Sequence, residues 1–219
     1  MDTNQTSKFM DLYIMLDYDL VKKFLFVKPL NEKHVNGVYK KICGDICLQV
    51  VIRYTSNKPR CNMVKFVDED CLKMWTKSFD EVFDDAMNNS TLDMEPGLIN
   101  LENLIAYKEP FIPLFQTHEI DKDFITLVLT DIDFFDGALT IFMQGVAKKL
   151  YELVGEEYYV CFASVHEAII HRKKLLSVDE LKEILHESIV KTFGLDSVEN
   201  LSEYVYIYDS KEDCLKVSQ

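Results

Sequence analysis

Basic charge is what this 219-residue chain lacks most: 24 lysines and arginines stand against 37 aspartates and glutamates, for a net charge of −13. A field of that sign repels a phosphate backbone, which argues against direct binding of nucleic acid. Glycine and proline are scarce as well, at 7 and 5 residues, so regular elements should fill much of the chain. No apolar run approaches the roughly 20 residues of a membrane helix. Met1-Asp2-Thr3-Asn4-Gln5-Thr6 lacks the basic start and apolar core of a secretion signal. The expectation is a soluble cytoplasmic protein without membrane contact. Gly-x-Gly never occurs, so no glycine loop cradles a phosphate, and no Gly-x-Ser-x-Gly elbow presents a nucleophile. None of the six cysteines, at 43, 47, 61, 71, 161 and 214, forms a Cys-x-x-Cys pair. Cys43 and Cys47 with a remote histidine are a weak zinc candidate, and reduced structural thiols are the plainer reading. No cofactor and no metal are expected.

What is present is regular. Ile46, Leu48, Val50 and Ile52 alternate along a strand spanning Ile42–Tyr54. A turn at Ser56–Arg60 returns the chain as a second strand, Met63–Val67. Upstream, Phe9–Leu16 reads as an opening strand and Asp17–Phe26 as a short helix ended by Pro29. Asp68 is a helix cap, and Ser78-Phe79-Asp80-Glu81 is a capping box. Leu72, Trp75, Phe79, Val82, Phe83 and Ala86 keep helical spacing through the two helices that follow, as a core stripe would. A loop over Asn88–Pro96 and a helix over Leu98–Tyr107 come next. Beyond Pro110 and Pro113, Phe124–Leu129 and Ala138–Phe142 read as strands joined by a turn. The helix through Val146–Val154 ends at Gly155, and Tyr158–Ala163 is a strand. Ser177-Val178-Asp179-Glu180 caps a helix with Leu181, Ile184, Leu185, Ser188 and Ile189 facing inward. Strands Tyr204–Tyr208 and Cys214–Val217 close the chain.

Strands paired locally and separated by helices predict an α+β fold with largely antiparallel sheet. An amino-terminal hairpin-plus-helices unit (1–110) precedes a carboxy-terminal sheet covered by two helices (111–219), either as two parts or as one continuous domain.

Chemistry concentrates at Ser164-Val165-His166-Glu167, where an apolar strand delivers a hydroxyl, an imidazole and a carboxylate to one short segment. If an activity exists, His166 is its proton carrier with Ser164 and Glu167 beside it. The plainer reading has Ser164 and His166 bonding backbone at a strand end, with Glu167 paired to a base. His166 and His171 resemble a zincin pair, but five residues turn about 140° on a helix and face opposite sides of a strand.

Several ordered strings resemble one family. They are Leu129-Thr130-Asp131, Gly137-Ala138, Ser164-Val165-His166-Glu167 and Leu201-Ser202-Glu203-x-Val205-Tyr206, with the Asp45 strand, Trp75, the helix over Glu81–Asn89 and Pro96 upstream. Together they are similar to the domain-of-unknown-function 5688 family of anaerobic gut Firmicutes, over roughly residues 40–217. The chain departs from that pattern in a shorter amino terminus. It also has Ala163 where a serine, and His171 where an apolar residue or proline, is expected. The resemblance implies fold and taxon, and no mechanism.

Acidic charge is clustered. Residues 68–95 hold nine acids against Lys73 and Lys77. Asp80, Glu81, Asp84 and Asp85 fall together on the side of a helix away from its apolar stripe. Three functions fit. One is a non-catalytic protein-interaction module engaging a basic partner surface through these four acids. Its specialised form is a phage or mobile-element inhibitor that occupies the groove of a nucleic-acid-binding defence protein. The others are an enzyme centred on Ser164, His166 and Glu167, and a structural or assembly domain whose charge only confers solubility.

Overall fold

A computed structural model describes residues 15–55, 62–101, 111–120 and 124–218. The chain has an α+β fold with antiparallel sheet and divides into two compact units. One comprises Met1–Lys28, Val35–Lys40 and Leu48–Asp93; the other comprises Pro29–His34, Lys41–Cys47 and Met94–Gln219.

In the first unit, Asp17 caps the short helix α1 (Tyr18–Val21), which continues as a 3₁₀ turn over Lys22–Phe24. Of the expected opening strand Phe9–Leu16, only Met15 and Leu16 lie within the described residues, and they are helical. Pro29 does not end the helix. It sits inside strand β1 (Leu25–Asn31). The long apolar pattern from Ile42 is two strands, β2 (Tyr39–Cys43) and β3 (Ile46–Thr55), separated by Gly44 with φ 53°. β3 lies between β1 and β2, and also pairs antiparallel with β4 (Asn62–Phe66). Parts of β1, β2 and β3 belong to the second unit. The turn expected at Ser56–Arg60 lies outside the described residues.

Asp68 caps α2 (Glu69–Trp75) by accepting from Cys71 N at 2.9 Å. Ser78 and Glu81 form the expected capping box of α3 (Phe79–Asp93). Leu72, Trp75, Val82, Phe83 and Ala86 are buried, so the stripe is core except at Phe79, which is half-buried. The Trp75 indole N–H donates to Met15 O at 2.8 Å, which satisfies its one polar group. The helix runs through Asn88 to Asp93, where a loop is expected. Ser90 holds this last turn in place, accepting from Val27 N and donating to Ala86 O.

The second unit contains a seven-stranded sheet in the order β11-β10-β8-β9-β7-β5-β6. Its strands are β5 (Pro96–Asn100), β6 (Ile112–Pro113), β7 (Thr126–Asp131), β8 (Tyr158–Ser164), β9 (Glu167–Arg172), β10 (Val205–Asp209) and β11 (Cys214–Val217). Each neighbouring pair is antiparallel. Leu98–Asn100 is therefore strand rather than helix, and 102–107 lie outside the described residues. Ala138–Phe142 is part of a 3₁₀ turn, Gly137–Phe142, rather than a strand. Ala138 to Ile141 are buried without a gap, which leaves no period to separate the two conformations.

α4 (Val146–Val154) ends at Gly155 in the left-handed region. It packs on one sheet face, where Tyr158 Oη donates to Ala147 O and Tyr151 meets the Tyr208 ring. α5 (Val178–Thr192), with the full capping box at Ser177, covers β8 and β10 on the other face through Leu181, Leu185 and Ile189. Ile184, expected inside, is exposed. Among the described residues no helix is long and apolar enough to cross a membrane.

Candidate functional site

β8 ends at Ser164, and the chain turns back through Val165 and His166 into β9. Val165 is fully buried and anchors the turn from both sides: its N–H donates to Glu199 O, and its carbonyl accepts from Ala138 N. Ser164 is buried too, and its Oγ accepts from His166 N at 3.1 Å. That hydroxyl ties the turn to itself instead of meeting the imidazole.

The two nitrogens of the His166 ring meet two different loops. Asp136 N donates to Nδ1 at 3.1 Å, and Nε2 lies 3.0 Å from Glu199 Oε2. A backbone N–H can only donate, so Nδ1 is an acceptor here, while the Nε2 approach is a close contact that leaves Glu199 Oε2 buried without a hydrogen-bond partner among the described residues. In this geometry the imidazole is a bridge between two loops. Glu199 and Asp136 were not legible as its partners, because loop approaches have no periodic signature.

The loop that supplies Asp136 is tightly constrained. Asp131, at the end of β7, is buried, and its carboxylate accepts from Glu95 N at 2.7 Å and Asp133 N at 3.2 Å. Phe134 and Asp136 both take left-handed backbone, with φ of 56° and 50°. For a bulky phenylalanine this is a strained position of the kind that clusters at functional sites. Gly137 then passes so close that a Cβ would meet Thr130 Oγ1 at 2.2 Å and His166 O at 2.4 Å. Thr130 donates to the same carbonyl at 2.8 Å. The strings Thr130-Asp131, Gly137-Ala138 and Ser164–Glu167 thus converge on one spot.

Other sequence candidates fall elsewhere. Glu167 opens β9 opposite Ser164 and does not meet the imidazole. His171 is buried on β9, with Nδ1 3.2 Å from Thr126 Oγ1, and burial lowers its pKa to about 4. Among the described residues no three histidines, cysteines or acids gather as a metal site. Burial raises the Cys43 and Cys161 thiols to about 12, which keeps them protonated and inert.

A second polar cluster sits in the same unit. Asp45, just past the Gly44 turn, accepts from Tyr206 Oη at 2.8 Å, from Asn31 Nδ2 at 2.7 Å and from Ser202 Oγ. Ser202 and Tyr206 are fully buried. Burial, with the Asp45 charge adding to it, raises the Tyr206 phenol. These contacts lock a turn onto the sheet.

In the first unit the acidic residues border an open cleft of about 480 Å³. Asp68, Glu69 and Asp70 line it together with Phe79 and residues 37–39. Hydrogen bonds from the Cys71 backbone hold the Asp68 carboxyl below its usual range. Lys73 pairs with Asp70 at 3.2 Å. Of the four acids Asp80, Glu81, Asp84 and Asp85 on α3, two are committed within the fold. Glu81, in the capping box and 3.0 Å from Lys77 Nζ, is lowered to about 2 by the Ser78 N–H and that lysine. Asp85 accepts from Tyr18 Oη at 2.7 Å. Asp80 and Asp84 are exposed.

A two-unit α+β chain whose seven-stranded sheet carries a braced hairpin turn is the class that fold and site define. The chain belongs to the family of unknown function DUF5688, whose model matches residues 1–210. No curated protein matches it. No solved structure does either.

Proposed function

We propose that this chain is a non-catalytic, acidic protein-interaction module that engages a basic partner surface through its first unit. The observation that carries the reading is the cleft beside α2, which is lined by three acids together with Tyr39 and Phe79. Exposed ion pairs contribute little one at a time, so binding needs several charges together with an apolar anchor. A lysine or arginine side chain supplies both, laying its methylene stem on an aromatic ring and its head among carboxylates. Asp80 and Asp84 on α3 extend the negative array. In its most specific form the partner is a nucleic-acid-binding defence protein, whose basic groove the acidic face fills in place of phosphates.

The test is affinity purification from the native host at low and high salt, with wild type beside a Glu69→Ser/Asp80→Ser/Asp84→Ser variant. Glu81 and Asp85 are left intact because they hold the helix cap and Tyr18. A basic partner recovered by wild type at low salt, and lost in the variant or well above physiological salt, is the expected result. Identical partners for both proteins, or tight binding of bare nucleic acid, would overturn the reading.

A further inference from the structure

The sheet of the second unit carries a row of β-branched side chains. Ile99 pairs with Val128 across β5 and β7, and Val128 pairs with Ile169 across β7 and β9. Directly paired residues point to the same face, so the three form one apolar floor. A cavity of about 240 Å³ stands over it. Phe134, from the strained turn, and His166 and Glu167, from the hairpin turn, line its walls with Leu101 and Thr130. Phe134 is about half exposed, at 53%.

The polar groups at this cavity differ in what they have left to offer. Thr130 Oγ1 donates to His166 O, His166 Nδ1 accepts from Asp136 N, and His166 Nε2 lies against Glu199, which does not line the cavity. Glu167 has no side-chain partner among the described residues. An apolar chamber with one available carboxylate selects for a ligand with an apolar body and one donor group. Drug-sized ligands fill pockets of about 300–1,000 Å³, so this chamber suits a smaller body, on the order of one ring or one branched chain. A protonated amine matches a carboxylate best, through a charge-assisted hydrogen bond, and the Phe134 ring favours a cation near its face.

We propose that this cavity binds a small primary amine with an aromatic or branched aliphatic body, its ammonium set against Glu167 and its body on the Ile99–Val128–Ile169 floor. The site lies in the other unit from the acidic cleft and stands independently of the interaction reading.

Methyl-labelled protein titrated with benzylamine, isopentylamine, benzyl alcohol and benzoate tests this by NMR. The amines should shift the methyl signals of Ile99, Val128 and Ile169 and bind more tightly than the alcohol, with benzoate weakest. Glu167→Gln should weaken benzylamine by about tenfold, as losing one charge-assisted hydrogen bond does, while leaving benzyl alcohol unchanged. Val128→Phe should fill the chamber and remove binding of both. If that variant does not fold, Glu167→Gln at the rim still decides the question. Unmoved methyl signals at saturating amine, equal affinity for amine, alcohol and benzoate, or no effect of Glu167→Gln would each overturn the proposal.

Discussion

His171 sets an acid limit on stability by itself. Its imidazole is buried on β9 and burial lowers its pKa to about 4, against an ordinary 6.5. The folded chain therefore prefers the neutral ring. Above pH 6.5 neither state binds the proton and the full stability is present. As pH falls from 6.5 toward 4, the unfolded chain takes up the proton and the folded chain does not, so stability declines. The slope is about 1.4 kcal/mol per pH unit. Urea titrations at pH 7 and pH 5.5 should differ in midpoint for wild type and much less for His171→Gln. An equal drop in both proteins would place the acid sensitivity elsewhere. Gly137 is a second single-residue control. A Cβ there would meet the His166 and Asp131 backbone at 2.4 and 2.7 Å, so Gly137→Ala should cost about 1–3 kcal/mol, as overpacking does. An unchanged urea midpoint would mean that the loop yields freely.

Among elements, the turn between β2 and β3 shows how a polar lock substitutes for apolar contact. Asp45 accepts from Ser202, Tyr206 and Asn31, all buried. Tyr206→Phe should cost about 1 kcal/mol, one net hydrogen bond. A double-mutant cycle with Ser202→Ala should show coupling of about 0.5–3 kcal/mol, because the two hydroxyls share Asp45 and each other. Additive effects would dissolve the lock into independent bonds. The same turn marks where sequence reasoning stopped. Asp68, Ser78 and Ser177 announce their helices because a cap is a local signal. Gly44-Asp45 is a two-residue turn signal, but the alternation of apolar residues resumes directly after it, and taking that pattern as continuous from Ile42 merges two strands into one. Gly137–Phe142 and Leu98–Asn100 are buried nearly throughout, so nothing local separates strand from 3₁₀ turn or helix. At the hairpin turn, Ser164, His166 and Glu167 stand out by chemical type. The groups that define the role of His166 come from other loops: Asp136 through its backbone, and Glu199 from after α5. Neither approach leaves a trace in composition or spacing.

For the whole molecule, the acidic surface has a stability consequence that separates solubility from binding. Asp80 and Asp84, and Glu81 and Asp85, are like charges four residues apart on α3, an arrangement that destabilises a helix by about 0.2–0.5 kcal/mol per pair. Asp84 lies beyond the first turn of the helix, so it gains little from the positive end of the dipole that favours Asp80 and Glu81. Asp84→Lys exchanges repulsion with Asp80 for an acid-before-base attraction at the same spacing. It should stabilise the chain by a few tenths of a kcal/mol in low salt. The gain should fade as salt screens both interactions. Urea denaturation of wild type and Asp84→Lys at 20 and 300 mM sodium chloride would measure it. A destabilised variant would mean that Asp84 supports the fold and is kept for that reason. A stabilised variant that also loses the basic partner would place a binding gain and a folding cost on the same carboxylate.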